Sequence, residues 1–69
     1  MMKIAVGNVL VSRETHVVVA VIAETGDAFE CRIVRPGVNS TKRQGETIKI
    51  RKGNRLAERW YRIQDAITD

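Results

Sequence analysis

Proline, cysteine and histidine each occur once in these 69 residues, and aromatic side chains are limited to Phe29, Trp60 and Tyr61. A lone Cys31 closes no internal disulfide, and with only His16 beside it no zinc ligand set can be assembled. Nucleophilic catalysis needs a nucleophile, a base within reach and usually a third group to orient the base. One Cys and one His do not supply that set, so the chain reads as non-enzymatic, without metal or cofactor. A glycine-rich phosphate loop is also missing, since Gly37, Gly45 and Gly53 stand alone at eight-residue intervals and mark turns. No run approaches the roughly 20 apolar residues of a membrane helix. Nor does a basic region, an apolar region and a cleavage site open the chain, so a cytoplasmic location in a bacterial or phage setting is expected.

With 43% apolar and 29% charged residues the chain has the composition of a folded protein, and its length predicts one domain over 1–69. The apolar runs are short, as in strands. Ile4 and Val6 share one phase and Val9 and Val11 the other, so a first strand from Ile4 to Val11 needs a bend at Gly7-Asn8. "HVVVAVIA", His16 to Ala23, is the strongest strand, rich in β-branched residues. Because Val17 to Ile22 is apolar on both faces, each face needs a cover: a barrel interior on one, and a helix, a loop or a second subunit on the other. The last option predicts a homodimer. "ETGDA" supplies a turn with Gly26 free to take positive φ, and Ala28 to Arg35 returns with Phe29, Cys31 and Ile33 facing inward. Pro36-Gly37 ends that strand. "GVNSTKRQGE" is a polar, basic loop, and Thr47 to Arg51 alternates again, with Ile48 and Ile50 inward and Lys49 and Arg51 outward.

The last third admits two readings. With Asn54 as N-cap, Leu56, Trp60, Ile63 and Ile67 follow at spacings of four, three and four, which is one stripe of an amphipathic helix. Alternatively a short turn at Leu56 to Glu58 leads into a final strand "RWYRI", since Trp, Tyr and Ile suit strands. Either way Trp60 belongs to the core, where its burial contributes about 2–3 kcal/mol.

Taken together, the opening "VGNVLV", the long apolar second strand and the closing "WYRI" resemble a Src-homology-3-like small β-barrel over Val6 to Ile63. The resemblance implies a mainly-β fold: a small antiparallel barrel of four to five strands with a short C-terminal helix or turn. It is similar in this to small bacterial and phage barrels that bind nucleic acid or protein. The acidic and aromatic loop residues with which peptide-binding members grip proline-rich ligands have no counterpart. A second likeness, to the carbon-storage-regulator RNA binders in "GVN" and "YRIQ", lacks their opening segment.

Charge is unevenly placed. Lys3 and Arg13 are outnumbered before Arg32 by Glu14, Glu24, Asp27 and Glu30, whereas Arg32 to Arg62 holds ten cations against Glu46 and Glu58. Such a block collects phosphates, each neutralised phosphate releasing a condensed counterion. The candidate nucleic-acid contacts are Lys42, Arg43, Lys49, Arg51, Lys52, Arg55, Arg59 and Arg62, with Tyr61 as an exposed stacker. The plainer alternatives are a solvated, solubilising face and a docking surface for an acidic protein. With no helix-turn-helix, zinc finger or RNA-recognition signature, contact with the backbone is expected rather than sequence readout. Cys31 shares the phase of Phe29 and Ile33 and reads as a buried thiol, His16 as a strand-end residue, and Glu24, Asp27 and Glu30 as a solvated hairpin.

Overall fold

The computed structural model describes residues 4–38, 43–53 and 55–63. Five antiparallel strands form one sheet: β1 (Val9–Ser12), β2 (Val18–Glu24), β3 (Ala28–Arg35), β4 (Thr47–Arg51) and β5 (Trp60–Arg62), with one helical turn, α1 (Leu56–Arg59), before the last. The spatial order is β4-β3-β2-β1-β5. Strands β1 to β4 are a meander, and β5 returns to the free side of β1, placing the last strand beside the first. β4 and β5 are the two edges, so the sheet is not closed into the expected barrel.

Alternation along the strands builds the core. Leu10, Val19, Val21, Phe29, Cys31, Ile33 and Ile50 point to one face and are buried, with Ile4 joining them from the N-terminal arm. Each fully buried aliphatic side chain here contributes roughly 1.5–3 kcal/mol. The outer face is different. In the β2–β3 ladder Val18 pairs Arg35 and Val19 pairs Ile33, leaving Val34 as an extra residue; Val21 pairs Cys31 and Ala23 pairs Glu30, leaving Ile22 as another. Both bulge residues are exposed, at 45% and 38%, so on this side the two-faced apolarity of β2 ends in open aliphatic surface.

Several expectations need correction. The long first strand is only its second half. Gly7 takes φ +98, its amide donates to the Val21 carbonyl, and the Asn8 side-chain oxygen accepts from Ala5, so the bend at Gly7-Asn8 is a full turn. β2 starts two residues late because His16, at φ +63, belongs to the β1–β2 connection, where the Ser12 hydroxyl accepts from the amides of Glu14 and Thr15. Gly26 does not use positive φ. The Thr25 hydroxyl fastens that turn instead, accepting from Ala28 N at 3.1 Å and lying 3.0 Å from its carbonyl.

Of the two readings of the last third, the amphipathic helix gives way to the short turn and final strand. Helix stops after Arg59, and Trp60 turns to extended backbone at φ −131, ψ 150. Ser12, Val11 and Leu10 then pair with Trp60, Tyr61 and Arg62. One isolated helical turn gains little by lengthening, whereas a free β1 edge offers a ladder to Trp60 and Tyr61, both of which favour strands. The helix is preceded by Arg55, without a side-chain cap; Asn54 and Ile67 lie outside the described residues.

Candidate nucleic-acid interface

On β4 the period of two sends Ile48 and Ile50 toward the core while Thr47, Lys49 and Arg51 lie outside and exposed. Their ladder neighbours on β3 are Arg32, Glu30 and Ala28 respectively, so Lys49 has an opposite charge across the strand and Arg51 has none. Lys52 and Gly53 lead out of β4 toward α1, which comes just before the other edge strand, β5. Because the two edges do not pair, the space between them stays open. It is a groove of about 580 Å³, walled by β4 on one side and by α1 with the start of β5 on the other.

The chemistry of the groove is divided. Ile48, Ile50, Leu56 and Trp60 supply an apolar lining, and the charged residues that line it are Lys49, Arg51, Lys52, Arg55 and Arg59, all cations. Trp60 is half-buried: it packs on the core and also meets the groove. The structure thus gathers five of the eight candidate cations around one opening. Arg43 is exposed on the β3–β4 connection, its amide donating to Glu46 Oε2 at 3.0 Å, and does not line the groove. Arg62 is half-buried on β5 opposite Leu10, away from the lining. Lys42 lies outside the described residues.

The five are not equivalent. Lys52 Nζ sits 2.5 Å from Glu24 Oε2 and 5.0 Å from the centre of the Phe29 ring, and its amide donates to the Asp27 carbonyl. It therefore clamps the β2–β3 hairpin to the end of β4, with its charge already matched. Arg55 faces Glu58 at 3.9 Å with both side chains mostly in solvent, a pair too loose to hold it. Lys49, Arg51 and Arg59 are exposed.

No family model, curated protein or solved structure matches this chain. Its site must be read from its own chemistry.

Arg13, which charge counting assigns to the acidic half, holds the wall in place. Its amide donates to the Arg59 carbonyl at 2.8 Å, its Nε to Ala57 O at 3.2 Å, and its guanidinium lies 5.0 Å from the Tyr61 ring centre. A cation capping the last carbonyls of a helical turn is a favourable placement. It also sets a guanidinium over the Tyr61 ring, which is half-buried and outside the groove lining rather than the exposed stacker expected. No local signal reveals this, because Arg13 and Arg59 are brought together only by the β1–β5 pairing. Elsewhere Cys31 is fully buried, and burial first, with the Glu30 charge second, pushes its thiol up to about 11, so its thiolate is suppressed. Among the described residues no three His, Cys, Asp or Glu side chains gather as a metal site, and no helix is long and apolar enough to cross a membrane.

Proposed function

We propose that this is a non-enzymatic binding domain that holds nucleic acid by its phosphates along the groove between β4 and α1. What supports the reading is the lining charge: five cations and no carboxylate, on two walls of one opening. Charges on β4 also serve a plainer end, since Lys and Arg on an edge strand deter pairing with other chains. That accounts for Lys49 and Arg51 but not for Arg55, just before α1, and Arg59 at its end, which line the same opening. A cytoplasmic accessory protein of bacterial or phage origin fits this ligand. The Src-homology-3-like likeness enters as fold context, with β5 returning to β1 as the step that begins to curl the sheet.

The test is the salt dependence of binding. With Lys52 matched by Glu24, four cations remain, and a slope of about −0.7 per contact for single strands gives about −2.8 in log K against log salt. Affinity then falls roughly 50-fold between about 50 and 200 mM salt. Replacing Lys49, Arg51 and Arg55 together by Ala brings the slope to about −0.7. An unchanged slope in a folded triple variant removes the proposed track. The second reading, an acidic protein segment, draws on the unpaired β4 edge, which offers backbone groups to an added strand. Homodimerisation through the β2 outer face stays a separate proposal, resting on exposed Ile22 and Val34.

A further inference from the structure

The groove offers more than charge. A phosphate track needs only cations on a convex or flat surface, yet here the cations rim a concavity lined by Ile48, Ile50, Leu56 and Trp60. Its volume of about 580 Å³ lies within the range of small-molecule sites, and apolar lining with a few charged groups at the mouth is their usual composition. A ligand that fills it must carry a flat or apolar body and an anion side by side. Every nucleotide of a single strand does so without any particular sequence, whereas an acidic peptide needs a specific alternation. In a duplex the base faces are stacked away and cannot enter.

Resting on the nucleic-acid reading above, we infer that the groove takes an unpaired base against Trp60 while Arg51 at the end of β4 and Arg55 just before α1 hold the flanking phosphates, making the domain selective for single strands. Stacking on one aromatic side chain is tolerant of base identity, so the selectivity is for strandedness and not for sequence.

Trp60 is the only Trp in the chain, so its emission reports the groove directly. The experiment titrates the whole protein with a thymidine oligomer of about ten nucleotides, an abasic oligomer of equal length, a duplex and polyglutamate, following Trp60 fluorescence and, with labelled strands, anisotropy. The thymidine oligomer should bind and quench Trp60, and the abasic strand should bind about tenfold or more weakly without quenching. Trp60→Leu should lose that preference, and Trp60→Phe should keep part of it. Equal binding of both strands with unchanged emission overturns the inference and leaves the phosphate reading standing. Equal quenching by the duplex overturns the selectivity, and binding of no oligonucleotide overturns both readings. Quenching by polyglutamate alone assigns the groove to an acidic protein segment and overturns the inference as well. If Trp60→Leu fails to fold, the comparison of thymidine and abasic strands on the unaltered protein decides the question.

Discussion

An alanine methyl at position 37 would sit 2.4 Å from the Thr15 carbonyl oxygen and 2.9 Å from the Val17 amide nitrogen. Ordinary contact begins near 3.4 Å, so one of two backbone segments must move by about 1 Å. Neither is loose. The Thr15 carbonyl accepts from Val38 N at 3.0 Å, and the Val17 carbonyl accepts from Ser12 N at 3.0 Å, so the segment after β3 is strapped across the β1–β2 connection. Relief of the overlap costs about 1–3 kcal/mol, and loss of the Val38 bond about 1 more, so Gly37→Ala should destabilise by roughly 2–4 kcal/mol. A domain of this size holds about 3–10 kcal/mol in all, and each kcal/mol lowers the midpoint by about 4–8 °C. The expected fall in Tm is therefore about 10–30 °C, read by circular dichroism and by Trp60 emission. Gly26→Ala is the control, since nothing lies within 4 Å of its added carbon and its φ is not positive. That variant should stay within about 0.5 kcal/mol of the parent or gain slightly from a stiffer unfolded chain. A Gly37→Ala chain as stable as Gly26→Ala would refute the strap.

Two further tests address Cys31 and Lys52. Because the folded Cys31 thiol is raised from 9.0 to about 11, the stability it contributes is whole below pH 9 and is lost as pH rises from 9 toward 11. Two pH units bound the loss at roughly 2.7 kcal/mol. Urea midpoints at neutral and alkaline pH should show that fall in the parent beyond the one in Cys31→Ala; an equal fall in both chains sinks the argument. Lys52→Met removes the pair with Glu24 and the contact with Phe29, at a cost of about 1 kcal/mol, much of it already absent in high salt. Since that charge is matched, the salt slope of oligonucleotide binding should stay put in Lys52→Met and fall by about 0.7 in Arg51→Ala.

The well-read parts of this fold are those in which local chemistry and burial agree. β3 and β4 occupy the expected residues because Pro36-Gly37 and Lys52-Gly53 bound them and their inward positions are aliphatic, aromatic or Cys. The mistaken or open parts are those in which two local options were close in free energy. Leu56 to Ile63 satisfies a helical stripe and a strand composition together, and only the vacant edge of β1 selects the strand. The same holds for the candidate site. Its cations were legible as a block, but their sorting was not: Lys52 goes to Glu24, Arg62 turns beside Leu10, and Arg13 joins from the other half of the chain. Side-chain ion pairs between residues 28 positions apart leave no periodic trace.

By itself, then, the sequence determined a small mainly-β chain with Cys31 inside and a cationic second half, because alternation, β-branching and charge count are properties of neighbours along the chain. Only the tertiary structure decided that the sheet stays open between β4 and β5, that Trp60 serves both core and groove, and that Arg55 and Arg59 line the same opening as the cations of β4. The reason is that these depend on β5 pairing with β1, a contact between strands some fifty residues apart in sequence whose ladder bonds and buried surface outweigh the local preference of either partner.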